Sequence, residues 1–202
     1  MTRALDPDDV RAFYKHMQDH YGTCIVSKDD AKEMKAIAVV LDQLGIMDKE
    51  AFLKNYATTV GARIYLPFQI GVEQPGWDLW SQLVTAVHEH QHVVQSVRDG
   101  LEYEVGYVAD TSTRARHEAE AYLCNVELHH WRYGLIPTPR RFADKLAHYG
   151  CTDQDILWAA KYLTLAAETV RLGGAVTEAG AVALDWLDEH TPALAHGDGG
   201  AR

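Results

Sequence analysis

Cysteine and basic residues are scarce in this sequence, and each scarcity excludes a class of function. The three cysteines form no CxxC pair, which argues against a disulfide framework and against a thiolate zinc site. Lys and Arg number 19 against 29 acidic residues. Without a basic run, the chain lacks the clustered cations that bind nucleic-acid phosphates, so we expect no nucleic-acid partner.

The sequence also has no segment that predicts a membrane location. Its longest apolar run, residues 36–41, is far shorter than the roughly 20 residues that cross a bilayer. The first residues contain no apolar stretch of the kind that a signal peptide needs. These absences predict a cytoplasmic protein without a membrane partner.

Helical periodicity is present along most of the 202 residues. It predicts helices at residues 7–21, 27–44, 48–56, 78–98, 114–132, 140–149, 153–171 and 178–189. Apolar residues alternate from Thr58 to Phe68, which predicts a strand with one buried face. A similar alternation over residues 101–109 predicts a strand or an extended loop. The expected fold class is therefore α+β, predominantly helical, with one small sheet.

Histidine is abundant, with eleven residues, six of them between positions 88 and 130. Residues 88–92 read His-Glu-His-Gln-His, an HExxH motif inside a predicted helix. The spacing of four places His88 and His92 on one helix face, where both imidazoles can bind one tetrahedral metal ion. Glu89 is rotated by about 100° from His88, so it can act as general base without binding the ion. A His-rich helix face without metal is the alternative interpretation.

A catalytic zinc site needs a third protein ligand, and the helix after the motif offers several. The candidates are His117, Glu118, Glu120, His129 and His130. At this point the chain resembles the gluzincin zinc metallopeptidases, in which a glutamate on a following helix, often within E-x-x-A, completes the HExxH site. Residues 118–121 read Glu-Ala-Glu-Ala and match that pattern with Glu118 as the ligand. Residues 88–95 also resemble the HExxHxxQ form of small prokaryotic members.

The resemblance covers residues 58–132 and implies a zinc-dependent peptidase, more an endopeptidase than an exopeptidase. It implies that Zn²⁺ is held by His88, His92 and Glu118, with Glu89 as the catalytic base. The substrate would be a peptide or protein whose extended chain pairs with the edge of the strand at residues 58–66. For Glu118, a solvated acid near a helix start is the alternative.

The resemblance also organises the chain into segments. Residues 58–134 are expected to form a zincin-like core, on which a helical N-terminal segment, residues 1–57, is packed. Residues 135–191 are expected to add C-terminal helices to the same domain, and residues 192–202 to form a flexible tail.

Partners of the catalytic residues are less well defined by the sequence. The family often has Asp or Asn four residues after the ligand glutamate, but this chain has Tyr122 there. Asn125 lies on the same face and is a candidate to orient a zinc histidine instead. Candidates to stabilise the transition state are Tyr103, Tyr107, Arg116, His117 and Tyr122, and the sequence does not select among them. We expect His90 to be a hydrogen-bonded helix residue rather than a ligand.

Two further functions compete with hydrolysis. The first is a zinc-binding scaffold or interaction protein that keeps the site without turnover. The second is an enzyme held latent by residues 1–57, because that segment has no other assigned role. The oligomeric state is not predicted.

Overall fold

The computed structural model describes residues 4–43 and 48–196, and helices dominate this part of the chain. The helices are α1 (Pro7–Tyr21), α2 (Lys32–Gln43), α3 (Lys49–Asn55), α4 (Leu79–Asp99), α5 (Leu101–Ala109), α6 (Thr111–Tyr133), α7 (Pro139–Lys145), α8 (Asp153–Arg171) and α9 (Glu178–His190). The strands are β1 (Cys24–Ser27), β2 (Thr58–Val60) and β3 (Arg63–Leu66). The predominantly helical α+β prediction is confirmed. None of the described helices has the length and apolar character that a bilayer span requires.

Capping residues set most helix boundaries close to their predicted positions. Asp6 caps α1 in a capping box, and Gly22 ends that helix in the left-handed conformation. Ser27, predicted to start the second helix, instead ends β1 and pairs with Leu66. That helix begins only at Lys32, because residues 24–27 belong to the sheet and residues 28–30 form a turn after it. Its predicted end, with Leu44 and Gly45, lies outside the described residues.

The single strand predicted over residues 58–68 is instead a hairpin. Gly61 has a φ of 56°, a conformation that suits glycine and reverses the chain between β2 and β3. The sheet order is β1-β3-β2, with β1 parallel and β2 antiparallel to β3. Because β3 is central, Ile64, Tyr65 and Leu66 are all buried, and only β2 and β1 present edges. The predicted one-sided alternation was therefore wrong for this segment.

Residues 101–109 form helix α5, so the predicted strand or extended loop was wrong. Tyr103 and Tyr107 are four positions apart, a spacing that fits an alternating pattern and also one helical turn. In the helix both rings reach His92, at centroid distances of 6.4 and 6.1 Å. Tertiary contact with the histidine helix thus accounts for the helical conformation.

The main hydrophobic cluster joins elements from the whole described chain. It includes Phe13 of α1, Ile64 of β3, Leu83 of α4, Leu128 of α6 and Leu187 of α9. A second cluster packs α7 and α8 against α6. Helices α4 and α6 therefore lie side by side at the centre, fixed by packing on several sides.

A buried lysine fixes the chain segment that enters β2. The Lys28 amine donates hydrogen bonds to the carbonyl oxygens of Phe52 at 2.9 Å and Tyr56 at 2.7 Å. Burial lowers the pKa of Lys28 to about 8. These bonds satisfy carbonyl groups of the last turn and C-cap of α3 and so position β2 beside α4.

The C-terminal segment is only partly a free tail. Pro192–Leu194 form a 3-10 turn, and Leu194 packs against the main cluster. The backbone nitrogen of His196 donates to the carbonyl of Trp131 at 2.9 Å. Packing thus holds residues 192–196, within the tail predicted to be flexible, and the rest of that tail lies outside the described residues.

Candidate metal centre

Helix α4 presents the HExxH residues from its middle, where its backbone hydrogen bonds are complete. Asp78 caps the helix by accepting from the Ser81 nitrogen at 2.6 Å, as its position predicts. The rings of His88 and His92 lie one turn apart, with centroids 5.0 Å from each other. Both histidines and Glu89 are buried. The predicted arrangement of the motif on one helix face is confirmed.

Glu118 of α6 meets the two histidines. Its Oε2 lies 3.6 Å from His88 Nε2, and its Oε1 lies 3.5 Å from His92 Nε2. One donor atom from each residue falls within 4.8 Å of the others. Donors that share a tetrahedral zinc ion are about 3.3 Å apart, because each lies about 2.0–2.1 Å from the ion. The three side chains therefore fit a common metal ion.

The hydrogen bonding of Glu118 supports the same fit. Its side chain is only 2% exposed, and its buried Oε2 has no hydrogen-bond partner among the described residues. Burial by itself would raise the pKa of Glu118, but the adjacent imidazoles of His92 and His88 hold it at about 2. A buried carboxylate with an unused oxygen is costly unless a cation compensates it. Glu118 thus has both the charge and the free oxygen of a metal ligand.

Amide side chains orient both histidines. His88 Nδ1 donates to Asn125 Oδ1 at 3.2 Å, and His92 Nδ1 donates to Gln95 Oε1 at 2.8 Å. Gln95 in turn donates to the carbonyl of His117 at 2.9 Å. When the imidazoles are neutral with the proton on Nδ1, the lone pair lies on Nε2, which faces Glu118. This is the tautomer that binds a metal ion through Nε2.

Glu89 is held by a residue of β2. The Thr59 hydroxyl donates to Glu89 Oε2 at 2.7 Å and lies 3.2 Å from the Glu89 carbonyl oxygen. Among the described residues this is the only side-chain hydrogen bond to the Glu89 carboxylate. Oε1 is therefore left to take a proton.

Helix α5 places two tyrosines beside His88, His92 and Glu118, which we name the metal-binding group because together they could hold an ion. The Tyr107 hydroxyl donates a short hydrogen bond to Glu118 Oε1. Burial, followed by the charge of Glu118, raises the pKa of Tyr107 well above its usual value, so it stays a donor. The Tyr103 ring packs edge-on against His117 at 4.8 Å. Tyr107 consequently bonds to Glu118, whereas the ring of Tyr103 lies between those of His117 and His92.

The other candidate ligands have different partners. His117 Nε2 lies 3.0 Å from Asp99 Oδ2, and Glu120 accepts from Gln91 at 2.7 Å and from Arg98. His129 Nδ1 donates to the carbonyl of Leu135. Neither His129 nor His130 belongs to the metal-binding group of the described residues. Arg116 lies over the Trp158 ring instead.

His90 is confirmed as a hydrogen-bonded helix residue. Its Nδ1 lies 2.6 Å from the carbonyl of Ala86, and its Nε2 lies 2.9 Å from the Thr23 hydroxyl. Burial lowers the pKa of His90 to about 4. It therefore stays neutral and takes no part in the metal-binding group.

The metal-binding group opens into a cleft with two arms that meet at His88 and Glu89. The first, which we name the apolar arm, is a cavity of about 450 Å³ walled mainly by apolar side chains. These are Ile37, Leu41, Phe52, Val60 and Val108. The second arm, of about 620 Å³, extends along α4 toward Trp77 and α7. A ligand that fills both arms would pass directly beside Glu89.

Two functional contacts were not assigned from the sequence. Thr59 lies 30 positions before Glu89, and no local spacing links the two residues. Gln95 belongs to the HExxHxxQ pattern, so that signal was present, but its role as the partner of His92 was not assigned. Asn125 was named as a candidate for this kind of contact, and its bond to His88 is confirmed.

Comparisons with known proteins identify no relative. No family model matches the chain, and neither a curated protein nor a solved structure matches it. The case for any function therefore depends on the residues of the site itself.

Proposed function

We propose that this protein is a zinc-dependent peptidase of zincin-like, gluzincin type. The observation that carries the proposal is the buried group of His88, His92 and Glu118, with Glu89 beside it at the centre of an open cleft. Two imidazoles and one carboxylate are a ligand set that suits catalytic zinc and leaves a coordination position open. Calcium and magnesium prefer oxygen ligands, so the two nitrogen donors favour zinc.

Each side chain of the site has a separate role in the proposed reaction. A zinc ion held by the three ligands would act as a Lewis acid toward a substrate carbonyl. Glu89 accepts a proton from the attacking water at Oε1 and can pass it to the leaving amine. Thr59 holds Oε2 of Glu89 and thereby directs Oε1 into the cleft. Tyr107 holds Oε1 of Glu118 and leaves Oε2 for the ion.

The sheet provides a place for an extended substrate. Strand β2 is an edge strand beside α4, and Thr59 on it contacts Glu89. A peptide that pairs with the free edge of β2 would run past Glu89 and into the cleft. The resemblance attributed this role to residues 58–66, but β3 is central in the sheet, so only β2 can provide it.

The proposal is tested by metal content together with hydrolysis. Purified protein is expected to hold about one zinc per chain and to cut an unfolded protein at internal bonds. A chelator should abolish hydrolysis, and added zinc should restore it. Metal analysis and mass spectrometry of the products measure both properties. Zinc binding without cleavage of any peptide or unfolded protein would support the scaffold alternative, and a protein without affinity for zinc would contradict both.

Tyr107→Phe is expected to weaken zinc binding by about 10–100-fold. The substitution removes only the hydroxyl that holds Glu118 Oε1, so the carboxylate loses its orientation while the ring still packs near His92. Competition with a chromophoric chelator measures the affinity.

Tyr162→Phe is the matched control for this substitution. Tyr162 lies on α8 with its ring stacked on Trp158 at 5.4 Å, and it is not among the described residues that line the cleft. We expect its zinc affinity to match that of the unmodified protein. Equal affinities for the two variants would show that Tyr107 does not position Glu118.

A further inference from the structure

The second arm of the cleft is chemically different from the apolar arm. Its basic side chains away from the metal-binding group are His129, Lys145 and His148, and we name this region the basic arm. Within the described part of the chain, Glu89 is the one carboxylate that lines the basic arm, at its junction with the metal-binding group. The whole chain carries a formal charge of −10, whereas in the basic arm Lys145 stands against a single carboxylate.

Lys145 is the one Lys or Arg among the described residues that line this arm. Its amine lies 5.3 Å from the centroid of the Tyr122 ring and 5.5 Å from that of Phe142. Among described residues, no carboxylate forms an ion pair with it; the neighbouring Asp144 pairs with Arg140. Burial and then the charge of Arg141 lower the pKa of Lys145 from its usual value. An ammonium group in this position gains from an external anion.

Lys145 is also close to the reacting centre. The Tyr122 ring that it faces packs against His88, with centroids 4.8 Å apart and a T-shaped geometry. One aromatic ring therefore separates the amine from a metal ligand. A group bound at Lys145 would lie only a few bonds from a carbonyl at the metal-binding group.

The apolar arm offers no comparable anion site. Arg114 lines it, but its guanidinium donates to the carbonyl oxygens of Tyr107, Val108 and Tyr149. Glu118 adds a negative charge at the inner end of the same arm. The two arms would therefore favour opposite substrate groups, apolar on one side of Glu89 and anionic on the other.

We infer that the basic arm binds a carboxylate of the substrate, chiefly through Lys145, on one side of the scissile bond only. This inference rests on the proposed peptidase function. The carboxylate can belong to an acidic side chain or to the C-terminus of a peptide, since both present the same group to the amine.

The test uses the zinc-loaded full chain and synthetic peptides that differ by one group. One series moves a Glu or an isosteric Gln through each position around the cleaved bond, and a second compares a free C-terminal carboxylate with an amide. We expect Glu to exceed Gln by about 10-fold or more in kcat/KM at positions on one side only, chiefly through KM. The second series shows whether the C-terminal carboxylate is the preferred source.

Variants of Lys145 show whether this residue carries the preference. Lys145→Met should remove the difference between the Glu and Gln peptides while leaving hydrolysis of the Gln peptide within about 2-fold. Lys145→Arg should restore much of the difference. Lys161→Met, an exposed lysine of α8 outside the cleft, is the matched control and should keep it. An equal rate for Glu and Gln peptides in the unmodified protein, or a preference that survives Lys145→Met, would overturn the inference.

A binding measurement distinguishes failure of this inference from failure of the proposed function. Calorimetric titration of the same peptides onto the zinc-loaded protein needs no turnover. Lys145-dependent binding of the Glu peptide without any hydrolysis would overturn the peptidase function and leave the carboxylate site standing. Hydrolysis without any preference for an acidic group would overturn the carboxylate site alone. Absence of both hydrolysis and binding would overturn both.

Discussion

Glu89→Gln is expected to lower hydrolysis by about 10²–10⁴-fold while leaving about one zinc per chain. The amide cannot accept the proton that Glu89 takes at Oε1, but its oxygen can still accept the bond from Thr59. Because Glu89 is outside the metal-binding group, the zinc content should not change. Metal analysis and peptide kinetics on the same preparation measure the two effects.

Glu118→Gln should have the opposite primary effect, a loss of zinc rather than a loss of the catalytic base. It replaces a charged ligand by a neutral amide, so zinc binding itself should weaken, and activity should fall at low zinc concentration. Glu120→Gln is the matched control, because Glu120 lies on the same helix but bonds Gln91 and Arg98. It should keep both zinc and activity. If Glu118→Gln changes neither property, the assignment of the third ligand is wrong.

A chain that lacks residues 1–22 is expected not to fold. Val10, Phe13, Tyr14 and Met17 of α1 are each no more than 1% exposed and belong to the main hydrophobic cluster. Loss of one such side chain typically costs about 2–5 kcal/mol, and a whole domain has about 5–15 kcal/mol of stability. Circular dichroism and urea unfolding should show the loss of structure.

Single substitutions separate this effect from a regulatory role of the N-terminal segment. Met17→Ala should lower the free energy of unfolding by about 2–5 kcal/mol, whereas Lys15→Ala, at an exposed position of the same helix, should change it by less than about 0.5 kcal/mol. A truncated protein that folds and cuts faster than the full chain would instead support the latency hypothesis. Because α1 is part of the core, we do not expect its loss to speed cleavage. Faster cleavage is expected only from smaller deletions within α2 and α3, which line the apolar arm.

The metal-binding group was largely predictable because its main signal is local. His88 and His92 are four residues apart, and any helix places such residues on one face. Glu118 is 26 positions after His92, and its assignment came from resemblance rather than from spacing. The structure brings it to the two histidines because α4 and α6 pack side by side.

The contacts that tune the site could not be predicted, because they depend on tertiary packing. Residues 101–109 alternate as a strand does, but their two tyrosines are four positions apart and so also share one face of a helix. Only packing against α4 and α6 decides that Tyr107 reaches Glu118. Likewise, the conformation of Gly61 turns one predicted strand into a hairpin and brings Thr59 to Glu89.

The position of α5 between the two ligand-bearing helices has a thermodynamic consequence. An ion bound to both His92 and Glu118 would close the intervening chain into a loop, as a covalent cross-link does. Loop closure lowers the conformational entropy of the unfolded chain, so part of the free energy of ion binding would become stability of the fold. Helix α5 begins at Gly100 without a side-chain cap, and it would be the segment whose amide hydrogens gain most protection from exchange on ion binding.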